Sequence, residues 1–387
     1  MLPHPVVRIP QARPMSRVPR VRVLDPARLA QARSAIGAAG IDALLVTPGA
    51  DLRYLTGYDA VPLERLTCLV VRAAGDPVLV VPTLERPAAE ASPARSLEIR
   101  DWGETDDPVA LVVSLVPGAR RVALDDHMWA EKVLRFRAAM PEVDQVIAGG
   151  VLGSLRMRKS PAEVAALRDA AAAIDLVHAR MGEWLRAGRT EADVAADVTA
   201  AILSEGHARV DFVIVASGPN GASPHHEVGD RVVERGDPVV VDIGGTTAAG
   251  YCSDSTRTYA VGGPPPREFL DSYEVLLAAQ RAAVEHVRPG VAAASVDAAA
   301  RSVIGAAGLG HLFVHRTGHG IGMETHEPPY LVAGNDLPLE PGMAFSVEPG
   351  IYHPGRFGAR IEDIVVVTAD GAERLNLRPR ELVVLEP

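Results

Sequence analysis

Two carboxylates set twelve residues apart in otherwise apolar β-type runs constrain this chain more than any other feature. Val239–Gly245 reads VVVDIGG, a strong strand signal with Asp242 planted in it. Tyr251–Val261 reads YCSDSTRTYAV and carries Asp254, and Gly245 and Gly250 support a turn between the runs. Paired antiparallel, the runs let the two aspartates face one another. Either aspartate alone reads as a turn or strand-end residue. Two carboxylates close together in an apolar sheet repel and resist desolvation unless a cation lies between them.

The same design recurs near the C-terminus. AFSVEPGIY holds Glu348 and GARIEDIVVVT holds Glu362, two β-like runs separated by a loop with glycine and proline. Between the two acidic pairs lies HRTGHGIGMETHE, with His315, His319 and His326. Its glycines, Gly318, Gly320 and Gly322, let backbone approach a compact site. One histidine is more often a polar contact than a ligand. Three beside four embedded carboxylates shift that balance. One imidazole and four carboxylates suit two hard or borderline divalent cations such as Mn²⁺, Co²⁺ or Zn²⁺.

Composition narrows the class. With 387 residues, 48% hydrophobic and 23% charged, the chain is expected to be a soluble globular protein of two unequal domains. A net charge of −10 argues against a nucleic-acid partner. Cys68 and Cys252, the two cysteines, support neither a disulfide framework nor a CxxC zinc site, so a reducing cytoplasm is the expected setting. Apolar stretches such as Ala43–Val46 and Val109–Val113 are too short to span a bilayer. Residues 1–21, with Arg8, Arg13, Arg17 and Arg20 among prolines, read as a flexible basic tail, and Met15 offers an alternative start.

Along the chain, helical spacing from Pro26 to Ala39 ends at Gly40, and strand-like runs at 41–46, 67–71, 77–81 and 121–124 alternate with a helix-like stretch at 128–139. This predicts an α/β domain over 22–150. The boundary falls where glycines break the pattern at 149–154. Ser160-Pro161-Ala162-Glu163 then reads as an N-cap, a first-position proline and a capping-box glutamate, opening a helix to Met181 and a second domain over 151–387. Further helices are expected from Thr190, over 266–287 and over 295–307.

These motifs together resemble the pita-bread metallopeptidases, the family of methionine aminopeptidase, aminopeptidase P and prolidase. The matching segments are SGPNGASPHH from Ser217, VVVDIGG, SDSTRTY, HRTGHGIGMETHE, SVEPGIY and GARIED. The stretch RLAQARSAIGAAGIDALLVTPGADLRYLTGY is similar to the creatinase-type N-terminal domain of aminopeptidase P and prolidase. The implied fold is an α/β creatinase-like domain followed by an α+β pita-bread catalytic domain. The resemblance implies Asp242, Asp254, His319, Glu348 and Glu362 as ligands of two divalent ions, manganese first, with Asp254 and Glu362 contacting both. It implies attack by a metal-bridging hydroxide, Glu348 as general base, His326 at the oxyanion and His225 near the scissile nitrogen, with His226 at the rim. Arg360 and Asp363 are expected to orient Glu362 through a salt bridge, and Arg257 to be structural. His315 is left between lining the pocket and capping a turn.

The implied activity is Xaa-Pro dipeptide hydrolysis, with aminopeptidase P as the alternative. A creatinase-like amidinohydrolase or a non-catalytic binding module ranks lower, because no ligand is missing. A homodimer acting on small peptides with proline second is the corresponding expectation. Several prolidases carry an arginine four residues after the histidine equivalent to His326. Tyr330 stands there in this chain, so the resemblance assigns no anchor for a free proline carboxylate.

Overall fold

The computed structural model describes residues 25–386, and the tail expected over 1–21 lies outside them. The first helix, Pro26–Ala38, starts where Asp25 accepts the Ala27 amide at 3.0 Å, with proline at its first position. It ends before Gly40, whose φ of 67° lets the Ile41 amide reach back to the Ile36 carbonyl.

Six strands follow: β1 (Ala43–Val46), β2 (Cys68–Arg72), β3 (Val78–Pro82), β4 (Glu98–Trp102), β5 (Arg121–Leu124) and β6 (Asp144–Ile147). They form one sheet in the order β4-β3-β2-β1-β5-β6, in which β2 alone runs against its neighbours. Both faces of β1 are covered. Leu44 and Val46 join one core, Ala43 and Leu45 another, as a strand buried on two sides requires. The expected glycine-broken boundary is instead a helix, Gly149–Met157. Asp126 accepts the Gly149 amide at 2.6 Å and Leu152 is fully buried, so capping and packing override glycine's weak helix propensity.

The second half opens as the capping box predicts. Ser160 and Glu163 exchange side chain-to-backbone bonds of 2.9 and 3.3 Å at the head of the helix Pro161–Ala179. Helices Glu191–Ser204, Arg267–His286 and Ala293–Ala306 complete the layer. Against them lie β7 (His207–Ser217), β8 (Pro238–Thr247) and β9 (Cys252–Val261). After these come β10 (Gly318–Gly320), β11 (Glu327–Leu331), β12 (Ala344–Val347), β13 (Gly350–His353), β14 (Phe357–Arg360), β15 (Asp363–Val367), β16 (Ala372–Arg374) and β17 (Val383–Leu385). The sheets run β17-β9-β8-β7 and β11-β10-β12-β15-β16, and β13 and β14 form a hairpin. Among the described residues no helix is long and apolar enough to cross a membrane.

The halves are joined by one core and by ions. Leu44, Val46 and Leu69 of the first sheet pack in a cluster with Leu167, Ile321 and Ile364 of the second half. Arg156, only 8% exposed, bonds Asp51 at 2.8 Å, Glu324 at 2.6 Å and Glu327 at 2.5 Å, and Lys159 meets Glu327 at 2.6 Å. Removing one partner from such a buried set leaves charges uncompensated. Arg156→Met is therefore expected to lower unfolding free energy in urea by roughly 3–5 kcal/mol. The exposed Arg168–Glu373 pair gives the contrast, with Arg168→Ala costing under about 1 kcal/mol.

His178 supplies a second test. It lies buried beneath β9, with Nε2 donating to the Ser255 carbonyl at 3.1 Å and Nδ1 meeting the Tyr259 hydroxyl at 2.9 Å. Burial first, then the nearby Arg257 charge, push its pKa down to about 3. Below the unfolded-state pKa the unfolded chain binds a proton that the folded chain refuses, so stability falls with pH. Between about pH 7.5 and about pH 4.5 this group is expected to remove roughly 2–3 kcal/mol. His178→Gln should flatten the urea-unfolding profile over that window by the same amount.

Candidate active site

The site grows from two β ladders. In the β8–β9 pair Asp242 lies opposite Thr256 and Asp254 opposite Gly244. The aspartates therefore share a face as diagonal neighbours rather than standing directly opposite. Gly244 is needed between them, because a Cβ there would strike the Phe212 ring at 2.4–2.6 Å. In the β12–β15 ladder Val347 pairs with Asp363, so Glu348 and Glu362 stand just beyond its open end. Both lie outside the strands in which they were expected, because Pro349 cannot donate to a ladder. Their backbones are tied down instead, Glu348 N to Thr317 O at 2.8 Å and Glu362 N to Thr256 O at 3.2 Å.

His319 lies on β10 between these pairs. Its Nδ1–H donates to the Gly320 carbonyl at 3.1 Å, which turns Nε2 toward Glu348 Oε1 at 3.1 Å and Asp254 Oδ2 at 3.6 Å. The glycine requirement is real here. A Cβ on Gly318 would collide with the Ser346 carbonyl, and one on Gly320 with the Pro328 carbonyl. Ser346 Oγ accepts the His319 amide at 3.0 Å and donates to Glu348 Oε1 at 2.9 Å.

Ligand atoms of Asp254, His319 and Glu362 lie within 4.8 Å of one another, all three residues buried. Asp242 and Glu348 line the same cavity, of about 1000 Å³, as do His225, His315 and His326. Burial first, then the charges of Glu362, Asp242 and Glu348, push the Asp254 carboxyl far above its ordinary range. Burial, with Glu348 and Asp242, raises Glu362 likewise. Burial also works to raise Glu348, but its hydrogen bond and attraction to His319 hold it down at about 2. Asp242 Oδ1 and Glu362 Oε1 are buried without a hydrogen-bond partner. Buried carboxylates that crowd one another and leave oxygens unsatisfied fit divalent cations bound through oxygen and one imidazole.

The supporting side chains differ in part from expectation. Arg360 reaches Asp242 at 2.6 Å and the Tyr352 hydroxyl at 2.8 Å, so the candidate carboxylate it orients directly is Asp242 rather than Glu362. Asp363 pairs with Arg257 at 2.7 Å, and Arg257 also donates to the Glu362 carbonyl at 2.5 Å, the structural duty expected of it. His315 does both things left open, lining the cavity and donating Nδ1–H to the Arg316 carbonyl at 2.8 Å. His226 does more than edge the rim. Its Nε2 meets Glu191 at 2.7 Å, and Glu191, fully buried, also accepts from Ser217 and Asn220. That clamp holds the loop presenting His225. Glu191 opens the helix expected from Thr190, and the sequence pattern alone assigns it no partner. The sequence pattern likewise gives no sign of the apolar wall of Phe212, Val213, Ile214 and Val228, while Arg316 lies within the histidine motif itself.

The model of metallopeptidase family M24 matches residues 165–369, and that of the creatinase/prolidase N-terminal domain matches residues 28–158. The chain belongs to metallopeptidase family M24. It is 56% identical over 361 residues to the probable dipeptidase PepE of Mycobacterium tuberculosis, covering 92% of this chain and 96% of that protein. It is 36% identical over 345 residues to the Xaa-Pro dipeptidase of Lactobacillus helveticus, covering 86% and 92%. The crystal structure of dipeptidase PepE from Mycobacterium ulcerans superposes with a TM-score of 0.90 at 55% identity, covering 94% of this chain and 98% of that one. The fold is thus the expected creatinase-type domain followed by a pita-bread catalytic domain, and the protein is an M24 metallopeptidase of the dipeptidase and prolidase type, a family that uses divalent metal.

The crowded carboxylates give a stability test. In metal-free protein Asp254→Asn relieves the cost of burying that carboxyl among the others, so its midpoint in the presence of EDTA should rise by about 1 °C over wild type, on the order of 1 kcal/mol. Added Mn²⁺ should raise the wild-type midpoint and leave the variant's almost unmoved. Equal metal-induced shifts in both proteins would remove Asp254 from the ligand set.

Proposed function

We propose that this M24 enzyme is a dinuclear-metal Xaa-Pro dipeptidase. Asp242, Asp254, His319, Glu348 and Glu362 would hold the two ions, with Mn²⁺ the first candidate. The reading rests chiefly on one observation: a five-residue oxygen and imidazole donor set, four of its members buried and Glu348 nearly so, lies at one cavity with an apolar wall of Phe212, Val213, Ile214 and Val228. When bound, divalent cations supply a Lewis acid and lower the pKa of water.

The chain's own residues then have the following work. Proline's nitrogen carries no hydrogen and its ring fixes φ, so backbone-strand recognition fails and the ring itself must be read. The Phe212–Ile214 wall is suited to pack against that ring. Glu348 is placed to take the proton of the attacking water at a carboxylate oxygen and return it to the departing proline nitrogen, which cannot leave unprotonated. His326, packed against His319 with ring centroids 4.0 Å apart, is placed to donate toward the carbonyl oxygen as charge develops there. His225, presented by the Glu191–His226 clamp, takes the side of the scissile nitrogen. We place the creatinase-type domain over 22–150 and the catalytic domain over 151–387, in a homodimer acting in the cytoplasm. The cavity volume, at the top of the small-ligand range, favours aminopeptidase P as the second reading.

Manganese-loaded protein should hydrolyse Leu-Pro far faster than Leu-Pro-Pro, lose activity with EDTA, and lose roughly 10²–10⁴-fold in kcat as Glu348→Gln. Comparable cleavage of the tripeptide would make it an aminopeptidase P. No metal-dependent cleavage of either would sink the Xaa-Pro reading.

A further inference from the structure

Two guanidinium groups face the catalytic cavity, Arg360 and Arg316. Arg360 is committed to Asp242, Tyr352, Thr256 and the Pro224 carbonyl. The other arginines around the site are spoken for as well, Arg301 by Asp297 and Arg257 by Asp363. Arg316 differs. Among the described residues its side chain has no carboxylate or carbonyl partner, and its one defined contact is a stack, with the guanidinium carbon 4.4 Å from the centroid of the Tyr330 ring.

That stack is held from both sides. Tyr330 lies on β11 directly opposite His319 in the ladder, so its ring projects on the same face as the histidine. The backbone carrying Arg316 is fixed by the helix Ala293–Ala306. Asp297 accepts the Thr317 amide at 3.0 Å and its hydroxyl at 2.8 Å, while Arg301 donates to the carbonyls of Phe313 and His315. His315 closes the turn through its bond to the Arg316 carbonyl. A half-buried cation is thus pre-organised, with its donors free and its flat face covered.

We propose that Arg316, laid on Tyr330, is the anchor for the free α-carboxylate of the dipeptide's C-terminal proline. This rests on the dipeptidase reading and deepens it. A guanidinium presents paired N–H donors that match a carboxylate in bidentate fashion, and aromatic stacking orients its plane. In a longer peptide the same position holds a neutral amide, which takes one hydrogen bond and no charge. The preference for dipeptides therefore comes from a charge carried on the histidine motif itself, and position 330 supplies the platform rather than the cation.

The test compares Leu-Pro with Leu-prolinamide, using manganese-loaded protein whose metal content is measured for each variant. Wild type should prefer the acid by about tenfold or more in kcat/KM. Arg316→Gln should bring that preference close to one, chiefly through a rise in KM for Leu-Pro of roughly ten- to hundredfold. Arg316→Lys should keep part of the preference. Tyr330→Phe should retain it, and Tyr330→Leu should lower it severalfold. Equal losses on both substrates, or an unchanged preference in Arg316→Gln, would overturn the anchor. Wild-type indifference between acid and amide would overturn it too while leaving the peptidase reading intact. Failure of wild type to cleave either substrate would sink the dipeptidase reading and the anchor with it.

Discussion

Mutual repulsion among buried carboxylates is the constraint on which the catalytic half depends. Asp242, Asp254, Glu348 and Glu362 come from two separate ladders, and each ladder alone would expel its charges toward water. They converge because their neighbours are fixed by other means. The Asp242 oxygen is held by Arg360, the Glu362 carboxylate by Thr256, and the Glu348 and Glu362 amides by carbonyls of other segments. The protein folds to a geometry that its own charges oppose, and a bound cation resolves the opposition.

The approach of backbone to backbone follows from the same demand. His319 can turn Nε2 into the cluster only if β10 lies hard against β11 and β12, and that closeness is what leaves no room for a Cβ at Gly318 or Gly320. The glycines and the histidine are one device. The Glu191 clamp works in the same way at a distance, since one fully buried carboxylate organises the whole turn from Ser217 to His226.

Much of this was legible in the sequence, for a local reason. Asp242, Asp254 and His319 each sit inside a short run whose strand or glycine character is self-evident, so VVVDIGG, SDSTRTY and HRTGHG announce both secondary structure and donors, whereas Glu348 and Glu362 fall just outside the strands their runs predict. The capping box at Ser160 and the turn at Gly40 were readable because their partners lie within a few residues. What escaped depended on distant partners or broken periodicity. Strand β7 carries two register shifts, near His207 and Val210, that blur its alternation. Glu191 finds Ser217 and His226 only through the fold. Arg360 meets Asp242 across 118 positions, which no local pattern reveals. Arg316 and Tyr330 are fourteen residues apart and meet only because β10 and β11 pair.

The core shared between the halves has a consequence for how such a chain can evolve. In a protein of separable modules, one domain can be exchanged for an unrelated one while the other keeps its chemistry. Here Arg53 donates to the Met323 carbonyl and Asp51 meets Arg156 in the network holding Glu327, the residue after His326. The leading domain is therefore a built-in wall of the catalytic loop, and drift in its helix Ala50–Thr56, which carries Asp51 and Arg53, is felt as drift in the active site. The two halves are bound to change together, inherited as one machine although the chain reads as two.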